Sequence, residues 1–508
     1  MFSKSYSGVT IGIDGYIISV EADISNGLPE FCMVGGLASE VKEAKERVRI
    51  ALKNSGYKLQ PKRITVNLSP ADMRKAGTTF DLPIAISILA ASGYIPQSNL
   101  EDILIIGELS LDGTIKAVSG VLPIVYKAKE MGFTKCIVPI DNANESAIVR
   151  DIEVIGVKSL DDTVNYLNNN KIIESTIVDI DDIFYKKYNV YEDDFIDIAG
   201  QSMVKRAVEI AVAGNHNILI VGPPGSGKTM MAKRIPTIMP DLTFEESLDI
   251  SKAYSVSGLL SNENMMVTTR PFRMPHHTIT TAALVGGGTS PKPGEISLAS
   301  GGVLFLDELP EFNKNTLEIL RQPLEDKKVI ISRVNGTYEY PANMMLVCAM
   351  NPCNCGYYPD RNKCNCSINS VKRYLGKISK PLLDRIDICV EAPRIDYKDL
   401  DKNRGEDSKT IKERIAKVRE IQKNRYKEYK ISCNSELSNR MIEKFCKLGT
   451  KERMVLEQAF DKYDMSARMY YKILKIARTI ADIDGNEKIS SENIIEAICY
   501  RTLDKKYW

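Results

Sequence analysis

Ile218-Leu-Ile-Val-Gly-Pro-Pro-Gly-Ser-Gly-Lys-Thr229 runs from an apolar, strand-like stretch through a glycine loop into the start of a helix. The loop residues Gly222, Pro223, Pro224, Gly225, Ser226, Gly227, Lys228 and Thr229 have the complete spacing of a phosphate-binding loop, or P-loop. Glycines let backbone N–H groups turn inward around phosphates. The N-terminus of the following helix adds a favourable dipole. In such a loop the lysine neutralises the β and γ phosphates and the Thr hydroxyl ligates Mg²⁺. ATP with Mg²⁺ is the expected ligand.

About eighty residues later, Gly302-Val-Leu-Phe-Leu-Asp-Glu308 ends a second apolar run in two carboxylates. Asp307 is suited to hold Mg²⁺ through water, and Glu308 to polarise an attacking water. A third run, Met344 to Met350, leads to Asn351, whose amide can position that water or simply cap a turn. The runs Ile218 to Val221, Val303 to Leu306 and Met344 to Ala349 suit strands buried on both faces, as in a parallel sheet covered by helices. Arg385, in Pro381-Leu-Leu-Asp-Arg-Ile-Asp387, can stabilise a phosphoryl transition state, or pair with Asp384 or Asp387. Arg468, in Ser466-Ala-Arg468 at a helix start, can read the γ phosphate.

Outward from this core, the 508 residues divide into parts. Residues 1–170 alternate strand-like and helical segments, with Glu40 to Lys53 helical and Ile64 to Leu68 and Ile103 to Ile106 extended. Residues 171–196 form an acidic linker. Residues 197–395 carry the strand–loop–helix pattern. Residues 396–508 are charged, poor in glycine and helical in composition. Hydrophobic residues make up 44% and charged residues 26%, an ordinary globular balance. A formal charge of +2 gives no global attraction to polyanions, so nucleic-acid binding would need locally gathered bases. The N-terminal residues lack a secretory apolar run, and Leu82 to Pro96 is too short to span a membrane. Eleven cysteines, mostly single, fit a reducing, cytoplasmic setting.

Together these motifs resemble the AAA+ superfamily. Arg270-Pro-Phe-Arg-Met-Pro-His-His277, Gly286-Gly-Gly288 and Pro293-Gly-Glu295 resemble the helix-2 insertion of its magnesium-chelatase-like branch. Val329-Ile-Ile-Ser-Arg333 to Tyr340-Pro-Ala342 resembles the hairpin before sensor 1 in that branch and in MCM helicases. Ala349-Met-Asn-Pro-Cys-Asn-Cys-Gly356, Ser466-Ala-Arg468 and Ala477-Arg478 through Asp482 narrow the resemblance to the YifB/ComM family, over essentially the whole chain. That resemblance implies an α/β P-loop AAA+ core with a parallel sheet and a C-terminal helical lid. It makes Arg385 an arginine finger given across a subunit interface, Arg468 sensor 2, and the assembly a ring, a hexamer. Members of the ComM type are similar to helicases that drive branch migration of DNA during natural transformation.

The first domain resembles the proteolytic domain of Lon, a ribosomal S5 domain 2-like fold, through Phe80-Asp-Leu-Pro-Ile-Ala85 and Gly107-Glu-Leu-Ser-Leu-Asp-Gly113 to Pro139. Lon-type proteolysis needs a serine activated by a lysine. In this alignment Ile84 and Leu122 stand at those positions, so the domain is expected to be proteolytically dead. A Lon-like protease is therefore the disfavoured rival. A chelatase-like protein remodeller is the other rival, although the Asp-x-Ser-x-Ser metal motif of such systems is not matched.

Cys353-x-Cys355 and Cys364-x-Cys366 either close a structural zinc site or are four reduced cysteines in a loop. Adjacent His276 and His277 cannot easily share a metal. Arg270, Arg273 and Lys292 in the insertion, and Lys327, Lys328 and Arg333 in the hairpin, are the expected contacts to a DNA backbone, or else solvated charges.

Overall fold

The computed structural model describes residues 1–186, 191–288, 291–333, 336–394 and 405–507. The expected boundary at 395/396 and residues 187–190 of the expected linker lie outside the described residues. Among the described residues no helix is long and apolar enough to cross a membrane.

The N-terminal part is built on a seven-stranded mixed sheet. Phe2–Ile11 and Asp14–Ser25 form its long antiparallel centre. Ile103–Ile105, Lys135–Pro139 and Glu153–Val157 extend it in parallel on one side. One face buries the helix Ser39–Asn54, whose Val41, Ala44, Val48 and Ala51 recur on one stripe. The apolar run read from Leu82 becomes the helix Asp81–Ala91, buried almost throughout. Arg47 fixes its start by a two-pronged pair to Asp81, at 2.7 and 2.9 Å.

The central part holds a five-stranded sheet whose described pairings are all parallel. Its order is Phe272–Arg273, Val303–Leu306, Met345–Met350, Ile218–Val221 and Ile388–Glu391. The three middle strands are buried at every position, as the unbroken apolar runs require. Side chains on one face join a core with the helices Ser202–Gly214 and Lys228–Ile238, and the other face packs on the insertion and the helices after it.

The C-terminal helices pack into the core of the central sheet. Ile415, Ile473, Ile476, Ile480 and Ile494 belong to the same apolar cluster as Ile218 and Val347 of the sheet. The last helix, Ser491–Tyr507, returns to the sheet edge, where Tyr507 donates to Glu391 at 2.9 Å.

The acidic stretch is also held down. Phe184 is buried beside Phe244, Phe195 enters the central core, and Arg234 pairs with Asp193 and Asp197 at 2.9 and 3.0 Å. The N-terminal part meets the central part along two seams. Leu122 and Leu104 share a cluster with Leu248 and Ile250 of the helix Phe244–Ser257. Gly12, in the first hairpin turn, lies so close to the later hairpin that a Cβ there would stand 2.6 Å from the Glu339 carbonyl.

Candidate active site

The strand Ile218–Val221 carries the chain to the end of the sheet, where Gly225 and Gly227 take left-handed backbone, with φ of 74° and 80°. Glycine does this without steric cost, and so lets the loop curl back into the helix Lys228–Ile238. The Lys228 ammonium donates to the carbonyls of Gly222 and Pro223, both at 2.9 Å, and to Asn351 Oδ1 at 3.1 Å. Loop and asparagine therefore converge on one amine. Burial pulls the Lys228 pKa down, while Asp307 and Glu308 push it back up.

Thr229 Oγ1 donates to Asp307 Oδ2 at 2.6 Å. A hydroxyl and a carboxylate are hard oxygen donors, the chemistry Mg²⁺ selects. Glu308 follows with φ 51°, a left-handed conformation that strains a non-glycine residue. The Asp307 carboxylate accepts the Glu308 N–H at 2.9 Å and helps hold that turn. The turn lifts the Glu308 side chain to 61% exposure, and His277 Nδ1 stands 3.7 Å from its Oε2.

Lys228, Thr229, Asp307, Glu308 and Asn351 thus gather at one end of three adjacent strands. Arg385 and Arg468 do not join them. Asn217, at the opposite end of the P-loop strand, donates from Nδ2 to the Arg385 carbonyl at 3.0 Å. The four strand residues Ile218–Val221, at about 3.3 Å each, separate Asn217 from the P-loop by on the order of 15 Å, beyond the reach of one arginine side chain.

Arg385 pairs with Glu325 at 2.8 Å and donates to the carbonyls of Arg321 and Pro381 at 3.0 and 2.7 Å. It pairs with neither Asp384 nor Asp387. Arg468 pairs with the same Glu325 oxygen. The two arginines pull the Glu325 carboxyl below its ordinary value against the desolvation that pushes it up. Asp387 is instead engaged by Lys472, at 2.8 Å, and faces His216. Burial pushes its carboxyl up, but Lys472 and His216 hold it well below the usual carboxylate range.

Models of the magnesium chelatase subunit ChlI match residues 194–400, of its ChlI region residues 20–142, and of its C-terminal region residues 405–501. Competence protein ComM of Haemophilus influenzae is 43% identical over 504 residues, 98% of this chain and 97% of that protein. The chain belongs to the magnesium-chelatase-like family that includes ComM and YifB. YifB of Escherichia coli, described as an uncharacterized protein, is 40% identical over 502 residues, 98% of this chain and 97% of its own length. Lon protease 2 of Bacillus subtilis is 31% identical over 130 residues, 25% of this chain and 23% of that protein.

The two residues expected to stand in place of a Lon dyad are apolar and buried. Ile84 sits on the helix Asp81–Ala91 and Leu122 on Val121–Glu130, each fully enclosed.

The basic residues expected to touch DNA fall into separate groups. Arg270 is a correction. Its guanidinium donates to the carbonyls of Pro240, Gly301 and Asp241 and pairs with Glu246, so it braces the edge of the core. Arg273 is held by both oxygens of Glu295, at 2.6 and 2.7 Å. Lys328 pairs across the hairpin with Glu339 at 3.1 Å. Lys327 lines the cleft of Arg385 and Arg468, away from the hairpin tip. Lys292 is exposed in the insertion. Arg333 is exposed at the tip of the hairpin Lys328–Arg333/Gly336–Pro341, over Gly287 of the insertion.

Sequence reading missed Glu325 and the approach of His277 to Glu308. Glu325 stands in an ordinary charged helix, and its two partners lie 60 and 143 positions onward. An adjacent pair of histidines before an Asp-Glu strand was the one available signal for the second.

Proposed function

We propose that the chain is an ATP-hydrolysing AAA+ ring motor acting on DNA, a branch-migration helicase of the ComM kind that supports recombination and natural transformation. The observation that carries this reading is the separation of the two halves of the site. Lys228, Thr229, Asp307, Glu308 and Asn351 stand at one end of the sheet, while Arg385 and Arg468 stand together at the other. A P-loop that lacks its own arginine is completed by a neighbour's, which calls for a closed ring, in this reading a hexamer.

The backbone N–H groups of the loop and the Lys228 ammonium would cradle the phosphates of ATP. Thr229 and Asp307 would hold Mg²⁺, which neutralises charge on those phosphates. Glu308, exposed at its strand tip, orients the attacking water, and Asn351 fixes its approach. Arg385 and Arg468 of one subunit then meet the charge that develops on the neighbour's γ phosphate. Arg333 and Lys292, on adjoining loops, are the exposed cations suited to track a DNA backbone.

The test is ATP hydrolysis by the purified chain, with and without single-stranded and branched DNA, at two salt concentrations, with Glu308→Gln as control. DNA stimulation that weakens as salt rises supports the motor. Turnover indifferent to DNA would sink it and favour a chelatase-like remodeller of a partner protein. Protease action is disfavoured by Ile84 and Leu122.

A further inference from the structure

Two residues beyond Asn351, the chain enters a loop that aims four thiols at one point. The Sγ atoms of Cys353, Cys355, Cys364 and Cys366 all lie within 4.8 Å of one another. Cys353 stands 3.3 Å from Cys355 and 3.8 Å from Cys364, and Cys355 stands 3.5 Å from Cys364. All four are free cysteines, and these gaps far exceed the about 2.05 Å of a disulfide bond. Thiolates bound to a tetrahedral zinc at about 2.3 Å stand about 3.8 Å apart along each edge. The sulfur separations in the loop bracket that edge.

We propose that this loop is a closed four-thiolate zinc site whose ion staples the Asn351 strand to the P-loop.

Thiols are weak donors and weak acceptors, so their mutual hydrogen bonds are a poor reason to gather four of them. A shared soft cation is a strong one. Cys353 and Cys364 are buried in the apolar cluster that contains Met350 and Leu306, and this shields the centre from water. The Tyr358 N–H donates to Cys353 Sγ at 3.4 Å, the kind of outer hydrogen bond that orients a metal-bound thiolate. Gly356 follows Cys355 with φ 85°, and its N–H returns to the Cys353 carbonyl at 3.0 Å. That left-handed turn lets both sulfurs of the tight Cys-x-Cys pair face inward. Four protein ligands leave no open position, which marks a structural ion rather than a catalytic one. The small spread of the sulfurs suits a single ion, because a multi-iron cluster would sit between its thiolates and push them apart.

The position gives the ion its consequence. A Cβ on Gly356 would lie 2.3 Å from Pro224 Cδ, so the cysteine loop rests directly on the P-loop. Cys366 immediately precedes Ser367, which caps the helix Ile368–Leu375 on the path to Arg385. One ion therefore ties down Asn351, the wall of the phosphate loop and the start of that helix.

The experiment measures metal in the full-length chain, purified without chelator, by elemental mass spectrometry. One zinc per chain is expected, released when a mercurial titrates the thiols and absent from Cys355→Ser and Cys364→Ser. Removing it is expected to lower both the melting temperature and the affinity for a fluorescent ATP analogue. If the serine variants fail to fold, wild-type protein refilled with Co²⁺ decides, because four thiolates give an intense sulfur-to-cobalt absorption. Metal-free protein with unchanged melting, or iron in place of zinc, overturns the assignment. Nucleotide affinity unmoved by zinc removal overturns the staple. Metal content is read without hydrolysis, so this inference stands or falls apart from the motor reading.

Discussion

Thr229 Oγ1 donates to Asp307 Oδ2 at 2.6 Å. This one bond ties the P-loop helix to the tip of Val303–Leu306, two strands across the sheet, and sets both oxygens where a hard cation fits. Thr229→Val keeps the side-chain shape and removes the donor. Steady-state phosphate release should fall on the order of 100-fold, the usual scale for losing one electrostatic contact in a phosphoryl or acyl transfer site. Near-normal turnover would show that Thr229 has no part in the chemistry.

Arg385 and Arg468 share Glu325 at the far end of the sheet from Lys228. Lys228→Ala and Arg385→Ala should each abolish turnover alone. Mixed together, they should regain a measurable fraction, because an intact P-loop in one subunit then faces an intact arginine in the next. An ATPase assay on mixed rings reads this directly. Complete silence of the mixture, with ring assembly confirmed, would place the arginine's action within its own subunit.

His277 Nδ1 lies 3.7 Å from Glu308 Oε2, and Glu308 is largely exposed. Any attraction at that distance and exposure is worth about 1 kcal/mol at most. His277→Ala should therefore free Glu308 and raise DNA-independent turnover by at most about fivefold, since 1 kcal/mol is roughly that factor. The ratio of DNA-stimulated to basal rate should shrink. A fall in basal rate would instead make His277 a support of the active conformation.

Glu145 is buried, and desolvation raises its carboxyl to about 7, against hydrogen bonds from Asn142 and from Ser255 of the central part. In the unfolded chain it titrates at about 4.3. The folded state holds the extra proton between those values, so this contribution to stability is full below about 4.3. It is lost as pH rises through about 7. Glu145→Gln keeps the neutral form at every pH. Its melting temperature should exceed that of the wild type at pH 8 and match it near pH 4, the stability difference being about 4 kcal/mol at most. A gap that widens toward acid would contradict the assignment.

The strand runs at Ile218, Val303 and Met345 were legible because strands buried on both faces leave an unbroken apolar signature. The third was offset by one residue, from Met344–Ala349 to Met345–Met350. The helix expected from Glu40 to Lys53 spans Ser39–Asn54. Charge was less readable. Arg270 and Arg333 look alike in the sequence, yet one is enclosed by three carbonyls and Glu246 while the other projects from a hairpin tip. Net charge and local composition carry no information on which cation a fold encloses.

Local chemistry belonged to the sequence alone. A P-loop needs its glycines, lysine and threonine at set offsets in one turn, so Gly222 to Thr229 declared a phosphate site without any distant residue. Asp307-Glu308 and Asn351 added strand ends of the right chemistry. Tertiary structure decided which of these groups meet. Lys228 reaches Asn351 across 123 positions, while Arg468 reaches Glu325 across 143. Those encounters depend on the order of strands in the sheet and on the C-terminal helices sharing its core. Packing of the whole chain sets both, and no spacing within a motif encodes them.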